Sequence, residues 1–171
     1  FAQGLRKSAN CDVHPPLRQS QDPDEAQLWS ETVERCSPAA RRDHLRWLGR
    51  NDLFFLLVYL LNRRHFIRDG RTERWTFDRC CEVQADPNGY VDLWPRESFK
   101  SEIITFGLLI QDLLNDPEKT FGIFSHTRPL AGRFLTLIKR EFEQNELLKS
   151  LYDDVLWADP KSNCLEHSVP W

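Results

Sequence analysis

The chain has 171 residues, 40% of them hydrophobic and 29% charged, the composition of a folded domain rather than a disordered one. A net charge of −3 provides no global basic field, which excludes a protein that coats DNA through its overall charge. The longest apolar run, residues 53–61, covers nine positions, about half a membrane span, so a membrane-crossing helix is excluded; five cysteines with no framework make a cytoplasmic protein the expectation.

Residues 1–24 are polar and broken by His14-Pro15-Pro16 and Asp22-Pro23, and read as a flexible lead-in. A helical region is expected over 25–74. Within it Ser37-Pro38 has the form of an N-cap followed by proline at the first helical position. Gly49-Arg50-Asn51-Asp52 divides the following apolar pattern into two helices, with Asp52 or Asn51 capping the second. The character changes at Trp75. After the turn signal Asp86-Pro87-Asn88-Gly89, residues 89–94 alternate with β-branched and aromatic side chains and read as a strand.

Residues 100–115 form a helix that is apolar nearly all round, the mark of a buried element, closed by Asn115-Asp116-Pro117. A second strand is expected over 120–125. Thr127-Arg128-Pro129 then opens a helix with Leu130, Phe134, Leu137, Ile138 and Phe142 on one face. A short helix over 146–152 follows, and 154–158 suits another strand. Strand, helix, strand, helix at this spacing is a βαβ unit, so the expected class is α/β with a parallel sheet preceded by a helical region. Ligands of such sheets bind where strand ends meet helix starts.

Five cysteines without a CxxC pair point to reduced thiols rather than a zinc site or disulfide framework. The absence of methionine and the open pattern of the last residues suggest a piece of a longer protein; the first residues lack the apolar core of a secretory signal.

The first strand-to-helix junction reads Trp94-Pro95-Arg96-Glu97-Ser98-Phe99-Lys100-Ser101. A phosphate loop needs converging backbone N–H groups, a helix N-terminus, a lysine for the β/γ-phosphates and a following hydroxyl for Mg²⁺. Lys100 and Ser101 stand in the right places. The two glycines of G-x-x-x-x-G-K-[ST] do not, because Trp94 and Phe99 occupy their positions. The same residues also suit an ordinary helix start in which Ser98 is the cap and Arg96 and Lys100 are solvated charges.

The stretch from Trp75 to Phe142 resembles the ATPase domain of tailed-phage terminase large subunits, the motors that package DNA into procapsids. The segments that carry the resemblance are Phe77-Asp-Arg-Cys-Cys-Glu-Val-Gln84, Gly89-Tyr-Val-Asp-Leu-Trp-Pro-Arg-Glu-Ser-Phe-Lys-Ser101 and Ile123-Phe-Ser-His-Thr-Arg-Pro129. That family uses a deviant Walker A with an arginine four residues before the lysine, as Arg96 stands before Lys100. The resemblance implies a truncated P-loop NTPase-like sheet over 75–171. It implies ATP and Mg²⁺ as cofactors, bound by Pro95, Arg96, Glu97, Ser98, Phe99, Lys100 and Ser101. Lys100 is implied on the β/γ-phosphates, Arg96 near the γ-phosphate, and Ser101 on the metal. Implied partners are double-stranded DNA, a portal protein, a small terminase subunit and further copies in a ring.

No apolar strand ending in Asp-Glu supplies a Walker B acid; Asp153-Asp154 precede their apolar neighbours and read as a turn. The coupling motif and nuclease domain of the family are likewise missing, so this piece alone is expected to hydrolyse ATP poorly or not at all. His126, at the second junction, suits a loop histidine better than a ligand-facing one. Two further readings compete. One is a non-catalytic binding module in which the helical region 39–64, with its apolar run 53–61, docks a partner, or a decayed prophage remnant, and which binds no nucleotide. The other is a nucleic-acid adaptor using Arg41-Arg42, Arg63-Arg64 and Lys139-Arg140, pairs scattered over three elements and balanced by acids.

Overall fold

Ser37 and Pro38 open the first helix as their chemistry dictates. The Ser37 hydroxyl accepts a hydrogen bond from the Ala40 amide at 3.3 Å, and proline costs nothing where its missing N–H has no helical partner. The computed structural model describes residues 37–68, 71–72, 74–85, 91 and 93–156. The expected lead-in over 1–24, the helical pattern from Asp24 to 36, and residues 157–158 of the last expected strand lie outside them.

Helix α1, Pro38–Asn51, ends where Asp52 swings into extended backbone at φ −128°. The Asp52 carboxylate then accepts from the Phe55 amide at 2.8 Å and starts α2, which comprises Leu53–Phe55 and a wide π-helical turn, Leu56–Leu60. Gln84 clamps the break between the two helices. Its amide nitrogen donates to the Asn51 carbonyl at 2.5 Å, and its oxygen accepts from the Leu53 amide at 2.9 Å. Groups left over by two helix ends are thus satisfied by one side chain.

Beyond α2 the chain reverses at Asn62 (φ 55°), makes a 3₁₀ turn, Arg64–Phe66, and forms a two-residue antiparallel ribbon, Ile67–Arg68 (β1) with Arg71–Thr72 (β2). Helix α3 is Arg74–Ala85. Helix α4 begins as a π-helical stretch, Ser101–Leu108, and continues as Leu109–Asn115. Helix α5, Arg128–Gln144, and the short α6, Glu146–Leu151, complete the set.

The core is built around α2. Every residue of 53–61 except Tyr59 is buried, which is why that run carries no polar side. Each fully buried side chain of this kind contributes about 1.5–3 kcal/mol. Phe54 meets Phe77 of α3 edge to face at 5.3 Å, and Ile103, Ile110 and Leu114 of α4 close another side. Leu148, Leu151 and Tyr152 cover a further one. Helices from both sides of residue 74 therefore share one core.

The parallel sheet expected from the sequence is absent among the described residues. Among the described residues the only strands are the two-residue ribbon, and its pairing is antiparallel. Residues 120–125 are irregular; of the other expected strand, residues 89, 90 and 92 lie outside the described ones, and Val91, Leu93 and Trp94 belong to no strand among the described residues. The physical reason is visible in exposure. Val91 is 85%, Leu93 88% and Phe124 96% exposed; Trp94 and Ile123 pack against the core, but neither run has a neighbouring strand among the described residues. A β-pattern becomes a strand only when something pairs with it. Here the helices bury their apolar faces against one another, and the truncated P-loop NTPase-like architecture is not formed.

Candidate functional site

The loop between α3 and α4 brings together all seven residues singled out in the sequence, Pro95, Arg96, Glu97, Ser98, Phe99, Lys100 and Ser101, in one turn at the start of α4. Pro95, Arg96, Glu97, Lys100 and Ser101 are exposed, and Ser98 is half-buried. Ser98 does not cap the helix. Its hydroxyl donates instead to the Pro95 carbonyl at 2.6 Å, closing the loop on itself, and no side chain caps the start of α4.

The backbone of this loop is unusual. Glu97 and Phe99 have φ of 64° and 60°, the left-handed region that glycine enters without cost and other residues rarely occupy. Lys100 follows in the right-handed helical region at φ −51°, ψ −47°. A left-handed residue followed by a right-handed one turns successive N–H groups toward one side, the geometry of an anion-binding nest. The Phe99 N–H donates to no backbone carbonyl among the described residues, while residues 96 and 97 form a tight turn ahead of it. The Phe99 carbonyl accepts from Glu102 and Ile103 at 2.9 and 3.0 Å, so the helix proper starts directly behind the nest. Phe99 thus adopts a backbone conformation that glycine enters without cost. The left-handed Glu97 could not be foreseen, since no sequence signal marks a glutamate for that conformation.

Phe99 is anchored by rings. It lies 5.2 Å from Phe66, edge to face, and 5.1 Å from His65. His65 in turn lies 2.8 Å from the Glu102 carboxylate in the first turn of α4. The loop is therefore pinned to the segment that follows α2 by a side chain that glycine would not supply.

The loop offers an ammonium at Lys100, a guanidinium at Arg96, a hydroxyl at Ser101 and the N-terminal partial charge of a helix, a donor set that fits a polyphosphate. It offers less to a metal. The Ser101 hydroxyl and the Glu97 carboxylate are the oxygen ligands in the loop, and no cluster of three metal-ligating side chains occurs among the described residues. Asp153 and Asp154 form the turn after α6, where they are occupied by arginines: Arg42 binds Asp153, and Arg46 binds Asp154 at 2.6 Å. The second junction, Ser125 to Pro129, is exposed, with Thr127 at the N-cap position of α5 and His126 in solvent. The apolar face expected on α5 is only partly used. Ile138 is buried, while Leu130 and Leu137 are 40% and 44% exposed.

Compared with known proteins, the chain matches no protein-family model, no curated protein and no solved structure. Among the described residues no helix is long and apolar enough to cross a membrane.

Proposed function

We propose that residues 95–101 hold the triphosphate of ATP, and that the chain is the ATP-binding part of a tailed-phage terminase large subunit acting in the bacterial cytoplasm. What supports this reading is the loop and not a sheet. Left-handed Glu97 and Phe99 shape the backbone immediately ahead of Lys100-Ser101 at a helix start, where the resemblance asks for a phosphate loop. Lys100 would neutralise the β- and γ-phosphates and Arg96 the charge that develops on the γ-phosphate. The Ser101 hydroxyl would be a ligand to a bound Mg²⁺. The metal supplies charge neutralisation when bound; the chain's own residues position the anion.

In the full-length motor this chemistry would be coupled to movement of double-stranded DNA into a procapsid, with a portal protein, a small terminase subunit and further copies in a ring as partners. Cleavage of the DNA would belong to a nuclease domain. Isothermal titration of Mg·ATPγS into the wild-type chain and into Lys100→Ala tests the reading. Saturable binding that disappears in the variant supports it. Binding that survives the substitution refutes the assignment of Lys100.

A second reading is favoured by one observation. Phe124, Leu130, Leu135 and Leu137 lie exposed around the start and outer side of α5. Such a surface suits a helical binding module, for which Lys100→Ala would be without effect.

A further inference from the structure

The end of α2 and the junction between α5 and α6 enclose an open groove of about 580 Å³, onto which three arginines from two distant parts of the sequence converge. Arg63 and Arg64 come from one wall, Arg140 from the other. The three cations are held differently. Arg63 is structural: its guanidinium pairs with Glu141 at 3.2 Å and lies 4.6 Å above the Phe106 ring. Arg64 and Arg140 are each held through Nε by a neutral amide. Arg64 donates to Asn62 Oδ1 at 2.9 Å, and Arg140 to Gln144 Oε1 at 3.0 Å.

Neither has a carboxylate partner among the described residues, and both side chains are exposed. The acids of the groove are already occupied. Glu141 is bound by Arg63 and by Asn145 at 3.2 Å, and Glu146 by Lys149 at 3.0 Å. Asn145 also donates to the Leu60 carbonyl at 2.8 Å, fixing one wall against the other.

A guanidinium whose Nε is already oriented loses less freedom on binding, and its remaining N–H pair matches the spacing of phosphate oxygens. We propose that this groove is a phosphate-binding site, with Arg64 and Arg140 as its two contacts. The phosphate would belong either to a nucleic-acid backbone or to a free polyphosphate. The site is separate from the loop at residues 95–101 and stands or falls independently of it.

The test is fluorescence anisotropy of a labelled DNA duplex over a series of salt concentrations, with pyrophosphate titrated calorimetrically in parallel. Each phosphate neutralised contributes about 0.9 to the slope of log affinity against log salt, so Arg64→Gln/Arg140→Gln should lower that slope by about 1.8. Arg140→Gln alone should lower it by about half as much, and gives a second variant if the pair alters folding. Arg74→Gln, on the exposed start of α3, should leave it unchanged. Pyrophosphate binding that depends on the two arginines, without duplex binding, supports the site and identifies free phosphate as its source. The proposal is overturned if a folded wild-type chain binds neither probe. Unchanged affinity and slope in the double variant, or an equal loss in Arg74→Gln, overturns it as well.

Discussion

The ring of Phe99 packs edge to face on that of Phe66 at 5.2 Å, and this contact holds Phe99 in a left-handed backbone conformation, φ 60°, that its own side chain disfavours. The steric cost of that conformation is about 1–2 kcal/mol for a residue with a Cβ. An aromatic pair contributes about 0.5–1.5 kcal/mol beyond the apolar area it buries, enough to offset it. Phe99→Ala removes the ring and keeps the Cβ, whereas Phe99→Gly removes both. Thermal or urea unfolding should therefore rank Phe99→Ala below Phe99→Gly, by about 1 kcal/mol. The reverse order would mean that the left-handed conformation is not held in solution.

For the proposed phosphate loop the decisive charge is Lys100, exposed one residue behind Phe99 at the N-cap position of α4. A charge-assisted hydrogen bond contributes about 1.5–3 kcal/mol, so Lys100→Ala should weaken nucleotide binding about ten- to a hundredfold. Phe99→Gly should retain binding, because glycine keeps the nest. Calorimetry on both variants checks the pair of expectations. Equal loss in the two would show that the ring, and not the backbone beneath it, makes the site.

Local chemistry was legible in the sequence, and partnership was not. Ser37-Pro38, the Asp52 cap and the stop at Asn115 all follow from short-range rules about unsatisfied helix ends, and each stands where those rules put it. The buried character of residues 53–61 and of α4 was equally readable, since such apolar runs have no other place to go. The strands failed because alternation states only that a segment suits a sheet. Val91, Leu93 and Phe124 satisfy that condition and still stand in water. The loop at 95–101 was readable as a location, but the means of its formation were not. Phe99 takes glycine's backbone because Phe66 and His65, more than thirty positions earlier, hold its ring. Arg64 and Arg140 share a groove for the same kind of reason: tertiary packing joins two surfaces that no sequence window contains.

Gly107 is the point where the two π-helical turns meet. A Cβ there would stand 2.7 and 2.9 Å from Cδ2 and Cγ of Leu57, both deep in the core. Overpacking of this sort costs about 1–3 kcal/mol, so Gly107→Ala should lower stability by that amount. Leu57→Ala alone leaves a cavity and should cost about 2–5 kcal/mol. The double variant should cost less than the sum, since each change relieves the defect of the other. Strict additivity in a denaturant series would show that the helices do not cross at these residues.

Asp154 is drawn below the usual carboxylate range. Burial alone pushes its pKa up, but the hydrogen bond from Arg46 and the charges of Arg46 and Arg50 outweigh it. A depressed folded-state pKa stabilises the fold at pH values above the ordinary carboxylate value and is lost as pH falls below it. Asp154→Asn should therefore melt lower than the wild type at neutral pH, and the two curves should merge in acid. With its side chain 51% exposed, Asp154 should show only the modest effect of a screened surface pair. A difference between the two proteins that persists unchanged into strong acid would assign the effect to something other than the carboxylate's charge.

Tyr152 is the last link, and its phenol is buried against α1. The hydroxyl donates to the Arg46 carbonyl at 2.8 Å, and a Cβ at Gly49 would collide with it. The guanidinium groups of Arg46 and Arg50 lie 5.5 and 5.4 Å from the ring centroid. Burial pushes the phenol's pKa well above its ordinary value. Arg50 and Arg46 pull it partly back, and Asp154 adds to the rise. In the unfolded chain the phenol ionises near pH 10, but in the folded protein it stays neutral beyond that. A raised folded-state pKa gives stability that is complete below about pH 10 and drains away as pH rises above it. Tyr152→Phe should lose about 1 kcal/mol at neutral pH, the contribution of one buried hydrogen bond. The gap between wild type and variant should then narrow or reverse in alkali, because phenylalanine has no proton to lose. Unfolding midpoints for both proteins, measured from neutral to strongly alkaline pH, decide the matter. Parallel curves would place the Tyr152 hydroxyl in water rather than against the Arg46 carbonyl.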